Sequence, residues 1–150
     1  MHRLLHTFVT LVWGLWFGGL IVLFMAVSSL FSTFSAEREA AGRAAAHIFR
    51  VFNAYQLALA AAALLATVAW RLVGPPRLTT SLFTLFALAT VAACLNTMYF
   101  APQIERLQAQ GLAHSAQFGK LHATSMVTYV AETFFIFLAG LLLPSVQRRE

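Results

Sequence analysis

The chain reads as an all-α integral membrane protein, an up-and-down bundle of four transmembrane helices forming one domain over residues 1–150. Three observations lead there. Hydrophobic residues make up 60% of the chain and charged residues only 10%, too few polar groups to cover a water-soluble domain of this length. Long apolar runs almost without charge recur four times, each long enough to cross a hydrocarbon core about 30 Å thick at about 1.5 Å per residue. Between the runs stand charges, glycines and prolines, the residues that end helices.

The first span, about residues 4–34, contains LLHTFVTLVWGLWFGGLIVLFMAVSSLF and ends at SAEREAAGR. Arg3 before the apolar stretch and FSTFSAE after it resemble a secretory signal, but the stretch far exceeds the roughly 7–15 apolar residues of a signal. It is expected to remain as a spanning helix. The second span, about 45–72, is alanine-rich, and Gly74, Pro75 and Pro76 turn the chain into the third, about 78–100. Pro102 is expected to end the third span, and Pro144 the fourth, about 117–143. The connection over 101–116 carries PQIERLQAQ, whose early proline and apolar Ile104 and Leu107 suit a short interfacial helix.

An even number of spans puts both termini on one face of the membrane. Arg3, Arg71, Arg77, Arg148 and Arg149 fall on that face and Arg38, Arg43, Arg50, Arg106 and Lys120 on the other, so the positive-inside rule divides evenly. Arg50 lies a full turn inside its helix and counts less, which tips the expectation to cytoplasmic termini. The net charge of +5 is scattered over helix ends with no basic block, so nucleic acid is not an expected partner. The expected partners are the lipid bilayer and, beyond it, a second copy or a larger membrane complex. The single Cys94 can close no internal disulfide and belongs to no CxxC motif.

Gly14 and Gly18 form a GxxxG pair whose face continues through Val22, Ala26 and Ser29, while Ala54, Ala58 and Ala61 offer small residues on the second helix. Small side chains let helices approach closely in lipid, so this pair is expected to form a packing seam inside the bundle or, alternatively, a dimer contact. Trp13 and Trp16 read as lipid-facing or packing groups.

The fourth span is where polar chemistry collects. His122, Ser125, Tyr129 and Glu132 follow one another at steps of three, four and three, which stacks them on one helical face. A charge at mid-bilayer costs about 2.5–3.5 kcal/mol, and no lysine or arginine lies at the depth of Glu132, so its carboxyl is expected to hold a proton and to bond Tyr129, Thr90 or a backbone carbonyl. Two readings stand: a polar tie between helices, or a proton or ion site. Arg50 and Asn53 on the second helix and Asn96 on the third are expected either to line the same pocket or to snorkel and tie helices. His47 and His122 start their helices on the same face, which permits a haem b or metal site, with His114 and Glu105 as further ligands. No HxxxH, CxxCH or HExxH spacing accompanies them. His2 and His6 read as exposed or interfacial. The sequence has no nucleophile with an adjacent base, no phosphate loop and no complete metal motif, so an enzyme is not expected.

WFGG at Trp16–Gly19, LF at Leu30, AG at Ala41, IF at Ile48, AP at Ala101 and FGKLHATS at Phe118–Ser125 give the chain a resemblance over nearly its whole length. It resembles the bacterial relatives of transmembrane protein 205, small four-helix membrane proteins grouped under a domain of unknown function. The resemblance implies the four-helix fold, a bacterial inner-membrane location and a polar end opening the last helix at Phe118, His122 and Ser125. It implies no reaction, since the family has no established activity, although its animal relative is associated with resistance to platinum drugs. Two departures stand out: Ser28 and Ser29 replace a proline common near the end of the first helix, and Tyr129 replaces an asparagine.

Three functions follow as expectations. The first is an accessory or transport-related membrane component with an intramembrane pocket for a small ligand, ion or proton. The second is an electron-transfer subunit using His47 and His122, and the third is a structural subunit of a larger complex.

Overall fold

In lipid, backbone N–H and C=O groups have no water to bond, so apolar runs of this length close their hydrogen bonds within themselves as helices. A computed structural model describes residues 2–72 and 76–147; Gly74, Pro75, Arg148 and Arg149, given topological roles above, lie outside the described residues. The helices are α1 (His2–Thr33), α2 (Arg38–Arg71), α3 (Pro76–Cys94), a π-helical segment (Leu95–Phe100), α4 (Ala101–Ala109) and α5 (Ala116–Gln147). Four stretches are long and apolar enough to span a membrane: Arg3–Thr33, Arg38–Arg71, Thr79–Ala109 and Ala116–Ser145.

The third of these overturns two expectations. Pro102 does not end the helix; α3 runs through the π segment into α4, so PQIERLQA continues the span instead of forming a separate helix. Proline lacks the N–H that an α-helix would give to the carbonyl four residues back, and its ring crowds that carbonyl. Here the preceding turn widens, with Ala101 N–H bonded to the carbonyl of Asn96 five residues back, and the chain passes the proline without breaking. Pro144 likewise lies inside α5. What ends α4 is Gly111, at φ +72°, where the N–H groups of Leu112 and Gly111 return to Leu107 and Gln108. Ser115 then caps α5, its Oγ accepting from the Phe118 N–H at 3.1 Å.

The helices alternate in direction and pack in a ring, α1 against α2 and α5, and α3 against α2 and α5. Thus α2 and α5 face each other diagonally and run parallel. We call the end where α2 and α5 begin the α4 face and the opposite end the terminal face. The core is built from Trp16, Leu20, Trp70, Leu82, Phe86 and Ile136, all fully buried.

The glycines that bring helices together are not the expected ones. A Cβ on Gly14 or Gly18 would meet nothing within 4 Å, and Val22, Ala26 and Ser29 on the same face are exposed. Close approach occurs instead at Gly19, where a Cβ would lie 3.1 Å from Phe52, and at Gly140, where it would run into the Trp13 ring. Ala54, Ala58 and Ala61 also face outward, and the buried alanines of α2 are Ala41, Ala45, Ala60, Ala63 and Ala66.

Candidate functional site

Six polar side chains are buried in the bundle's middle and α4-face half: Asn53 and Gln56 on α2, Asn96 on the π segment, and Ser125, Tyr129 and Glu132 on α5. They form three hydrogen-bonded clusters. Nearest the α4 face, the Ser125 hydroxyl donates to Asn96 Oδ1 at 3.0 Å. One turn further along α5, the Tyr129 hydroxyl crosses the bundle axis and donates to Asn53 Oδ1 at 2.6 Å, and Gln56 Nε2 donates to the same oxygen at 3.0 Å. At the third level the Trp16 indole N–H donates to Glu132 Oε1 at 2.9 Å.

The sequence places each group at its depth. Trp16 lies fourteen residues into α1, Gln56 eighteen into α2 and Glu132 sixteen into α5, all close to the midpoints of helices 32 to 34 residues long. Gln56 and Glu132 each follow the Asn53–Tyr129 pair by one turn on parallel helices, which brings them to one level. Each cluster leaves one buried polar atom without a protein partner: Asn96 Nδ2, Gln56 Oε1 and Glu132 Oε2. Thr97 Oγ1, beside Asn96 in the π segment, is a fourth. A buried polar atom left unpaired costs about 1–3 kcal/mol, so such atoms in one region mark a place where something else bonds, or where strain is kept for function. A π turn at the same spot is a frequent companion of functional sites.

The α5 face is therefore assembled as its spacing predicts for Ser125, Tyr129 and Glu132, joined by Asn53 and Asn96. His122 is exposed and stacks on Phe118 with ring centroids 5.8 Å apart, so it does not join the buried stripe. Arg50 points away from the network to Glu105, with Nη2 to Oε2 at 3.0 Å and side chains 65% and 36% exposed. This pair links the first half of α2 to α4. Thr90 donates to the carbonyl of Phe86 in its own helix at 2.7 Å, not to Glu132. His47 and His114 are exposed, Glu105 is committed to Arg50, and among the described residues no three His, Cys, Asp or Glu side chains gather as a metal site. His6 is half-buried, edge-on to Trp70 at 5.6 Å.

Trp16 is the partner that sequence reasoning missed. Its signal was present: an indole N–H in mid-helix needs an acceptor, and Glu132 sits at the same depth. Gln56 is the second polar group at the level of Glu132.

A profile of a family described as a domain of unknown function, DUF4149, matches residues 11–113. The match takes in Trp16, Asn53, Gln56 and Asn96 and stops before α5, so FGKLHATS and the three α5 groups lie beyond it. No curated protein and no solved structure matches the chain.

Proposed function

The chain belongs to the DUF4149 family, and on that premise we propose that it is an accessory or transport-related membrane component whose bundle holds a proton or small-cation site at Glu132. One observation supports this most: Glu132 is fully buried at the middle of the bundle, with Oε1 held by Trp16 and Oε2 without a protein partner. A bare carboxylate at that depth costs about 2.5–3.5 kcal/mol, and taking up a proton or cation on Oε2 removes the charge that incurs it. Gln56 Oε1, at about the same level, is also buried and unpartnered, and an amide oxygen can only accept. Of the finer readings, kinship with the relatives of transmembrane protein 205, a bacterial inner-membrane location and cytoplasmic termini belong to this proposal.

The competing reading is a structural subunit in which the network only ties helices. The bonds from Ser125 to Asn96 and from Tyr129 to Asn53, each crossing between helices, favour it. Infrared spectroscopy of the purified protein separates the two, with the Glu132 carboxyl signal assigned by its loss in Glu132→Gln. The site reading expects that signal to respond to pH or to added sodium or potassium. A signal insensitive to all three leaves the structural reading.

A further inference from the structure

Among the described residues, the buried side chains hydrogen-bonded from helix to helix lie at the level of Glu132 and on one side of it. Toward the α4 face come the Asn53–Tyr129 and then the Asn96–Ser125 levels. Toward the terminal face the interior is Val9, Val12, Leu82, Ile136 and Ala139, closed by Trp70. Two buried threonines occur in that half, and neither offers a free group: Thr67 donates to the Ala63 carbonyl at 2.7 Å, and Thr79 is partnered. His6, a titratable group at that end, rests on Trp70 with its buried Nε2 unpartnered, but it lies nearly three turns from Trp16 along α1, with Val9 and Val12 buried between them.

A surface groove lies toward the α4 face. Its volume of about 420 Å³, between the end of the third span and α5, is lined by Tyr99, Gln103, Gln117, Lys120, Leu121 and Thr124, with Ala116 at its edge. Tyr99 follows Asn96 by three residues and Leu121 precedes Ser125 by four, so the groove begins one helical turn from the first buried pair.

We infer that Glu132 exchanges its proton with the α4 face alone, through this groove and the polar groups of Ser125, Asn96, Tyr129, Asn53 and Gln56, with the terminal half of the bundle as an apolar seal. The inference rests on the reading of Glu132 as an exchangeable site. Trp16 from α1 bonds Glu132, Phe86 of α3 stacks on Trp16, and within a turn of the same level stand Gln56 and Asn53 from α2 and Tyr129 from its own helix. Tyr129 is the one titratable group among them, and no described ion pair involves Glu132. The free atoms at the three levels, Asn96 Nδ2, Gln56 Oε1 and Glu132 Oε2, suit water, which makes about three hydrogen bonds when bound inside a protein. In the transfer the O–H bond of the carboxyl breaks, its electron pair stays on the carboxylate, and a water oxygen forms the new O–H bond as hydronium. Hydroxyl groups along the way pass a hydrogen on by donating one and accepting another.

The test uses the full chain in lipid nanodiscs moved from H2O to D2O, following the Glu132 carboxyl band as deuterium replaces the proton. In the double variant Ser125→Ala, Asn96→Leu, both members of a bonded pair go together and no buried partner is orphaned. Exchange is expected to slow by about tenfold or more in that variant, and to stay unchanged in Ile136→Val, which trims the seal without adding a polar group. Unchanged exchange in the double variant, or faster exchange in Ile136→Val, overturns one-sided access while leaving the Glu132 site intact. Absence of any protonated band lost in Glu132→Gln overturns the proton reading of the site, on which the inference rests.

Discussion

Asn53 is the group on which the network most depends, and the consequence of removing it can be worked from its bonds. Its Oδ1 accepts from both the Tyr129 hydroxyl and Gln56 Nε2, and all three side chains are buried. Tyr129→Phe removes one donor and leaves the Asn53 oxygen still bonded to Gln56. Its expected cost is one net hydrogen bond, about 0.5–1.5 kcal/mol, with about 0.6 typical between helices in a membrane. Asn53→Leu is of similar size but removes the shared acceptor, stranding two buried donors at about 1–3 kcal/mol each, or about 2–6 kcal/mol together. Adding Tyr129→Phe to Asn53→Leu then removes one stranded donor, so the double variant is expected to be more stable than Asn53→Leu alone by about 1 kcal/mol or more. Unfolding in mixed micelles of mild and denaturing detergent, followed by tryptophan fluorescence, measures all three. A double variant less stable than Asn53→Leu would refute the shared-acceptor geometry.

Gly140→Ala places a methyl group against the Trp13 ring and threatens the 2.7 Å bond from the Trp13 indole to the Ile136 carbonyl; it is expected to cost about 1–3 kcal/mol in the same unfolding assay. Gly14→Ala and Gly18→Ala meet open space and replace a weak helix former, so each is expected to be neutral or stabilising by up to about 1 kcal/mol. Gly111→Ala forces an alanine into the left-handed region at φ +72°, and a loss of about 1–2 kcal/mol is expected. Arg50→Ala breaks a largely exposed ion pair, and stability is expected to fall by less than about 1 kcal/mol, less still at high salt.

The spans were legible because hydropathy adds up over some twenty residues and tolerates local exceptions. Their ends near Pro102 and Pro144 were not, because a proline's effect depends on whether the turn before it can widen, and the π segment does so. On α5 the spacing of Ser125, Tyr129 and Glu132 was enough to place three buried groups on one face. On α2 the same logic failed at Arg50: a step of three residues turns a helix by about 300°, so each step drifts by about 60°. From His47 through Arg50 to Asn53 that drift carries the face from exposed to buried. Trp16 was hidden by its own apolar body, which makes an indole read as packing even where its N–H decides its position. The GxxxG pair states only that a close approach is sterically allowed. Which glycine is used was decided by where Trp13 and Phe52 fall, and those are facts about pairs of helices.

The contact between Trp16 and Glu132 carries the whole account, and the indole N–H resonances of the three tryptophans report it directly. With the Trp16 signal assigned by its loss in Trp16→Phe, nuclear magnetic resonance of the nitrogen-15-labelled protein in detergent gives its position and its exchange with water. The account predicts a Trp16 signal protected from exchange that moves in Glu132→Gln while those of Trp13 and Trp70 stay in place. A Trp16 signal indifferent to Glu132→Gln, or exchanging as freely as an exposed indole, would contradict it.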